Sequence, residues 1–415
     1  MAEWKTRPLA SVCTVFADGD WIESKDQSAE GVRLVQTGNV GEGEFKDRVE
    51  KARFISQDTF ARLRCTEIFA GDCLISRLPD PVGRACLIPE TGERMITAVD
   101  CTIVRFDQSK LLPEFFAYYS QADDYLAAVE REATGTTRKR ISRARLGQIQ
   151  VPLAPLPEQR RIVAILDEAF EGIATAKANA EKNLQNAREL FDNALQSLLR
   201  VGDGDRVLRN MVDVCDIPSK LVDPREEGYQ DLPHVGAGNI EAKTGVLVDV
   251  LTARQEQLIS GKFLFDDSMV LYSKIRPYLM KVVRPDFGGL CSADIYPLAP
   301  KPGVITRDYL FYLLLSPEFT EYAIKGSARA GMPKVNREHL FAYELSLPSV
   351  REQEQIAARL DAVAEQTQRL IDVNERKLNA FDGLKKSLLH QAFVGKLTGA
   401  STEFSEAAID GRINS

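Results

Sequence analysis

Two short runs of cations break the character of an otherwise acidic chain. Thr134 to Gly147 carries Arg138, Lys139, Arg140, Arg143 and Arg145 without an acid, and Lys325 to Arg337 carries Lys325, Arg329, Lys334 and Arg337, again without an acid. Over all 415 residues, 53 Lys+Arg face 60 Asp+Glu, a net charge of −7. Arginine and lysine neutralise phosphates, and arginine forks onto guanine edges in a major groove. Each run also holds glycine, in Gly135-Thr136-Thr137 and in Gly331-Met332-Pro333, which lets a backbone approach a partner closely. A basic run by itself is often a solvated face. Its recurrence at equivalent places in two halves of the chain favours contact with DNA or RNA.

The candidate contacts in the first half are Gln36, Thr37, Arg77, Arg84, Thr136, Thr137, Arg138, Lys139, Arg140, Arg143 and Arg145. In the second half they are His234, Lys274, Arg276, Arg329, Met332, Lys334, Asn336 and Arg337. Glutamine and asparagine can pair bidentately with adenine. Asn39 and Asn239, each beside a glycine, read better as turn formers. Tyr118, Tyr119, Tyr309 and Tyr312 lie at helical spacing and read as core rather than as stacking platforms for bases.

Catalytic patterns fail by comparison. The chain has no G-x-x-x-x-G-K-[ST], H-E-x-x-H or G-x-S-x-G, and no Pro-Pro-Tyr or Pro-Pro-Phe tetrad of the type used by methyltransferases that act on amino groups. Asp286-Phe287-Gly288 has no glycine-rich loop to accompany it and reads as a turn. Seven cysteines without a C-x-x-C pair read as reduced thiols, and three scattered histidines give little basis for a metal or acid–base centre.

A repeat explains why the cationic runs recur. Glu158-Gln159-x-x-Ile162-x-Ala164-x-Leu166-Asp167 returns as Glu352-Gln353-x-x-Ile356-x-Ala358-x-Leu360-Asp361, six identities in ten positions at an offset of 194. The same offset carries Asp100 to Asp294, Glu114 to Asp308, Tyr118 to Tyr312 and Arg140-Ile141-Ser142 to Lys334-Val335-Asn336. Nearer each start the offset drifts, as insertions in loops would make it.

After the repeated motif each half reads as one long helix. The apolar seam of the first runs through Ile162, Leu166, Ala169, Ile173, Ala176, Ala180, Asn183, Ala187, Leu190 and Ala194. That of the second runs through Ile356, Leu360, Val363, Leu370, Asn374, Phe381, Leu384 and Leu388, behind a Ser349-x-x-Glu352 capping box. Stripes of this length predict that the helices pair, and the short link at 201–205 makes the pair antiparallel, with the two front parts at opposite ends. A helix over 158–199 spans roughly 63 Å, or about 18 base pairs of duplex. The front parts are mixed and β-rich, with strands expected at 32–36, 73–76, 84–88, 98–106 and 148–153 and a helix over 113–130. The second copy has strands expected at 269–274, 279–284, 293–298 and 342–347 and a helix over 307–325. The class is therefore α+β: two tandem β-rich mixed domains, 1–155 and 205–348, separated by long helices at 156–200 and 349–397 that form an antiparallel coiled coil. A flexible tail is expected at 398–415.

At this point the duplicated set resembles the specificity subunit of type I restriction-modification enzymes, over residues 1 to about 397. The segments Thr134 to Ser142 and Ala330 to Asn336 resemble the end of that family's target-recognition domains. The first reads Thr-Arg-Lys where the second reads Met-Pro-Lys, as unlike target sequences would require. The resemblance implies a non-catalytic reader of a bipartite site in double-stranded DNA, with the helix pair setting the unspecified spacer. It implies two modification subunits that use S-adenosylmethionine to methylate adenine, and allows two motor-nuclease restriction subunits using ATP and magnesium. No cofactor is expected on this chain itself. Two other readings are a single-chain nuclease or methyltransferase and a scaffold that binds only proteins. The start, Met1-Ala2-Glu3-Trp4-Lys5, lacks a basic patch followed by an apolar core, and no stretch has the roughly 18 to 20 apolar residues of a membrane span, so a cytoplasmic location is expected.

Overall fold

The structure, a computed structural model, describes residues 4–200, 206–218, 220–327 and 333–397. Its contacts fall into two compact units, 1–180 with 376–415, and 181–375. Arg329, Met332 and the tail at 398–415 lie outside the described residues.

In the first unit, Cys13–Asp18, Cys101–Phe106, Cys73–Ser76 and Ala85–Leu87 form a four-stranded sheet in that order, antiparallel throughout. A five-stranded sheet takes the order Gln27–Ser28, Phe54–Ile55, Val32–Val35, Met95–Thr97, Glu67–Ile68, with one parallel pair between Val32–Val35 and Met95–Thr97. Lys5–Pro8 pairs with Gln150–Leu153, which closes the domain by joining its two ends. Strands buried on both faces need continuous apolar runs rather than alternation, and Cys73-Leu74-Ile75 supplies one.

The second unit repeats this plan. Cys215–Asp216, Ile295–Pro300, Val270–Ser273 and Val282–Val283 form the four-stranded sheet, and Val207–Asn210 pairs with Glu344–Leu347. Its five-stranded sheet keeps the parallel pair, here Pro233–Val235 with Gly289–Cys291. The extra edge strand differs. Gln27–Ser28 lies outside Phe54–Ile55 in the first unit, whereas Leu221–Val222 lies outside Lys262–Phe265, the opposite edge, in the second.

The expected helix at 113–130 is two helices, Pro113–Tyr119 and Asp123–Glu132. Ser120 Oγ and Gln121 Nε2 both donate to the Ala117 carbonyl, at 2.8 and 3.0 Å, and so end the first turn. The expected helix at 307–325 breaks likewise into Arg307–Leu314 and Pro317–Lys325, where Ser316 caps the second piece and Pro317 cannot continue the first.

The long helices are continuous over Leu156–Arg200 and Val350–Phe393. In the first unit, Ile162 and Leu166 share a core with Leu389 and Ala392, Phe170 lies under Lys385, and Lys177 pairs with Asp382. Rising numbers on one helix meet falling numbers on the other, so the pair is antiparallel. In the second unit Phe191 and Leu195 join Ile356, Ala357 and Leu360 in one core. The seam departs from the expected one after Ala180. Asn183 and Leu190 are exposed, whereas Ala187 and Ala194 keep their expected places and Leu184 and Phe191 are half-buried beside them. On the second helix Asn374 is buried as expected, but Leu370 and Leu384 are exposed and Thr367 is buried. A helix of 3.6 residues per turn drifts about 20° per heptad from a strict seven-residue stripe, enough to move the buried position by one residue.

The repeated motif is the joint between each domain and its helix. Gln159 is fully buried; its Oε1 accepts from Leu112 N at 2.8 Å and its Nε2 donates to Lys110 O at 2.9 Å and Ala154 O at 2.8 Å. Gln353 makes the same three bonds, with Thr306 N at 2.8 Å, Val304 O at 2.9 Å and Pro348 O at 3.0 Å. Tyr118 Oη donates to Asp167 at 2.5 Å and Tyr312 Oη to Asp361 at 2.6 Å. Four of the six identities, Gln159, Ile162, Leu166 and Asp167 with their counterparts, therefore preserve a clamp, a two-residue apolar stripe and the acid of a Tyr–Asp tie.

Candidate nucleic-acid interface

The residues that follow the cationic loop are anchored the same way in both domains. In the first, Thr134 and Arg140 exchange backbone hydrogen bonds at 2.9 and 2.8 Å, which closes residues 135–139 into a tip. Gly135 makes the turn at φ +113°, and a Cβ there would lie 2.5 Å from the Arg138 carbonyl. Ile141 is buried and its N–H donates to Arg77 O at 3.2 Å; Ser142 then caps the helix Arg143–Gln148 through Arg145 N. In the second, Val335 is buried, its N–H donates to Lys274 O at 2.8 Å, and Asn336 caps Arg337–Phe341 through His339 N.

Acids hold the cations in place. Arg140 pairs with Asp100 at 2.9 Å, and Lys334 pairs with Asp294 at 3.5 Å. Arg143 reaches Asp18 at 3.5 Å and the Phe16 carbonyl at 3.2 Å, Lys139 pairs with Glu130, and Arg145 donates to the Glu132 carbonyl at 3.2 Å. These pairs are solvent-exposed, so each contributes at most about 1 kcal/mol and can exchange for a phosphate. Thr136, Thr137 and Arg138 stand exposed at the tip, and Arg138 makes no hydrogen bond or ion pair with the described residues. Arg276 and Arg337 are exposed beside Lys334, with Arg276 N donating to Pro333 O at 2.9 Å.

Other candidates lie beneath this surface. Arg77 is buried, pairs with Asp18 at 3.2 Å and donates to the Val99 carbonyl; Lys274, its counterpart, donates to the equivalent Ala293 carbonyl. Burial pulls both pKa values down. Arg84 is buried with its donors on the carbonyls of Val40 (2.7 Å), Leu78 (2.7 Å), Pro81 (3.1 Å) and Thr37 (2.9 Å). It pins the segment that carries Gln36 and Thr37, both half-buried, to the sheet. Asn39 and Asn239 anchor equivalent turns, accepting from Gln36 N at 2.9 Å and Gly236 N at 2.8 Å. Tyr309 and Tyr312 are buried, and Tyr119 packs on Tyr125 and Phe393. The acids Asp18, Asp100 and Asp294 were not among the expected site residues, although the offset of 194 already joined Asp100 to Asp294.

His234 is buried with Nδ1 3.0 Å from Glu256, while Nε2 has no hydrogen-bond partner among the described residues. Burial lowers its pKa, and the Glu256 carboxylate opposes that while Lys262 reinforces it. A histidine with a depressed folded pKa binds its proton more readily when unfolded. Its contribution to stability is therefore present above the unfolded pKa of about 6.5 and is lost as pH falls through the folded value. Urea denaturation should accordingly show a loss of stability between pH 7 and pH 5 that shrinks in a His234→Gln chain; identical pH profiles would contradict this.

Among the described residues no helix is long and apolar enough to cross a membrane. All seven cysteines are free, and burial pushes the Cys13 thiol up to about 12 and the Cys65 thiol to about 11.

The family model described as the type I restriction modification DNA specificity domain matches residues 1–185 and 207–379. The type I restriction enzyme EcoDI specificity subunit of Escherichia coli is 30% identical over 327 residues, covering 76% of this chain and 66% of that protein. The chain thus spans just under two thirds of that relative's length. A solved structure described under complex assembly and conformational transition of the type I R-M system superposes with a TM-score of 0.75 at 19% identity, covering 96% of this chain and 99% of the other. The HsdS subunit from Thermoanaerobacter tengcongensis superposes with a TM-score of 0.59 at 19% identity, covering 95% and 98%.

Proposed function

The chain belongs to the type I restriction modification DNA specificity family, and from that premise we propose that it is the non-catalytic DNA-reading subunit of a restriction-modification complex. Each domain reads one part of a bipartite site in double-stranded DNA, and the paired long helices set the unspecified spacer. Two modification subunits dock on the chain and methylate adenine with S-adenosylmethionine that they bind themselves; two restriction subunits, where present, bring ATP and magnesium. The complex works in the cytoplasm.

The observation that carries this reading is the pair of loops. Two domains of like plan each carry an exposed cation seated on an acid at the same place, Asp100 under Arg140 and Asp294 under Lys334. Around that shared seat the sequences differ, with Thr136-Thr137-Arg138 in one copy where the offset of 194 places Ala330-Gly331-Met332 in the other. Common anchoring with unlike tips is what two readers of unlike half-sites need. Arg77, Lys274 and Arg84 act in this reading as positioning residues, and the exposed cations contact the duplex.

The test is a map of N6-methyladenine in DNA from cells that carry the chain together with its modification subunit. One sequence in two blocks with a constant gap is the expected result. Methylation by the chain without that subunit would place catalysis here, and no methylation with it would remove the DNA-reading role.

A further inference from the structure

The duplication places equivalent residues of the two domains in different company. In the second domain the guanidinium of Arg284 sits in a pocket of carboxylates and rings. It pairs with Asp308 at 2.5 Å and with Asp361, and lies over Phe311 at 4.6 Å and Tyr312 at 5.3 Å. Tyr312 is itself tied to Asp361. This is a complete arginine site, with a fork of donors on two carboxylates and a cation on aromatic faces.

The first domain has the same walls. Glu114 stands for Asp308, Asp167 for Asp361 and Tyr118 for Tyr312 at the offset of 194, and the Tyr118–Asp167 bond repeats the Tyr312–Asp361 bond. The guanidinium is missing. Leu87 faces Cys73 in the strand pair, and the equivalent place beside Val270 belongs to Arg284, directly after the Val283–Leu271 pair. Leucine cannot fill a carboxylate pocket, and Ala117 replaces Phe311. What remains is an open pocket of about 340 Å³ whose lining includes Leu87, Glu114, Tyr118, Asp167 and Phe170 together with Glu42, Glu44 and Lys385.

Charge favours the same ligand. Glu42, Glu44, Glu114 and Asp167 are exposed at the rim, and the only ammonium in the lining is Lys385, which lies 4.9 Å above the Phe170 ring. Burial and the neighbouring Lys177 lower the Lys385 pKa against the pull of Glu42, Glu44 and Asp382. Tyr118 packs edge-on against Phe170 at 5.2 Å, so a planar cation entering between the carboxylates meets ring surface, as Arg284 does in the other copy.

We propose that the pocket of Glu114, Asp167, Tyr118 and Phe170 is a docking site for an arginine side chain of the modification subunit, occupying in trans the place that Arg284 occupies in cis. This rests on the reading of the chain as a subunit of a modification complex. It gives the two halves different roles in assembly, since one pocket is closed by the chain's own arginine and the other is left for the partner.

The test uses the full chain and a small probe, N-acetyl-arginine methylamide, with the uncharged isostere N-acetyl-citrulline methylamide as control. The arginine probe should shift the Leu87 methyl NMR signals with millimolar affinity, the citrulline probe should not, and Glu114→Gln should weaken the arginine probe severalfold. Leu87→Arg should fill the pocket internally, abolish probe binding, melt no lower than the parent chain, and lower affinity for the modification subunit at least tenfold. Should that variant fail to fold, Glu114→Gln, at an exposed side chain, carries the same test with an expected fivefold loss of assembly. Equal shifts from both probes would overturn the site. A parent chain that assembles and directs methylation, beside variants that assemble equally well, would overturn the docking role alone. A parent chain that binds no modification subunit would overturn the functional reading and the docking role together.

Discussion

Replacing Arg138, Lys139 and Arg140 together with alanine should weaken binding to the cognate duplex by about a hundredfold at physiological salt. The slope of log affinity against log salt should fall by roughly 2 to 3. The three cations cluster at the closed tip of one loop; Arg138 makes no hydrogen bond or ion pair with the described residues, and the others hold only exposed ion pairs to Glu130 and Asp100. Loss of those pairs costs the fold little, about 1 kcal/mol or less for each. The effect on DNA should therefore appear without a comparable drop in thermal stability. Filter binding or fluorescence anisotropy of the assembled complex across a salt series measures both quantities. An unchanged slope would remove the loop from the phosphate contacts.

The second large effect falls on the joint. Gln159→Leu should destabilise the first unit by about 3 kcal/mol, because it leaves Leu112 N, Lys110 O and Ala154 O without their side-chain partner inside the protein. With a urea slope of about 1 to 3 kcal/mol per molar, the midpoint should fall by roughly 1 to 2 M. Gln159→Glu is the sharper variant. It keeps an acceptor for Leu112 N but turns a carboxylate toward two carbonyls, so it should be at least as harmful. The matching change at Gln353 should act on the second unit in the same way, since its three bonds are the same. A midpoint that does not move would mean that the recurrence of this glutamine has another cause.

The repeat made the architecture legible because the residues it preserves are those that join domain to helix. Gln159, Leu166 and Asp167 recur at fixed spacing since the first turns of the helix must present a clamp, a buried face and a tie in a set order. Strand positions such as 73–76 were also readable, as a short apolar run fully buried between neighbours. Finer features depended on geometry that spacing does not encode. The breaks at Ser120 and Ser316 arise from side chains that compete for backbone groups, visible beforehand only where Pro317 marks one. The seam shift at Leu184 and Phe191 arises from helical drift, which accumulates and cannot be seen over a single heptad.

The candidate site divides along similar lines. The exposed cations of the loops were recognisable because like charges without acids stand out in an acidic chain. Arg77, Arg84 and His234 look the same in sequence, but the fold turns them inward, where their hydrogen bonds hold the backbone under the surface. Composition does not distinguish an arginine that grips carbonyls from one that faces solvent; burial does. The contrast between Leu87 and Arg284 was equally hidden, since it acquires meaning only when the two strands are superposed with their carboxylate neighbours.

The most direct measurement is selection from random duplex DNA by the assembled modification complex, performed in parallel with a chain whose residues 1–155 come from another family member. Two conserved blocks separated by a constant gap are expected, with one block replaced in the hybrid and the other block and the gap unaltered. A single uninterrupted block, or changes on both sides of the gap after exchange of one domain, would contradict it.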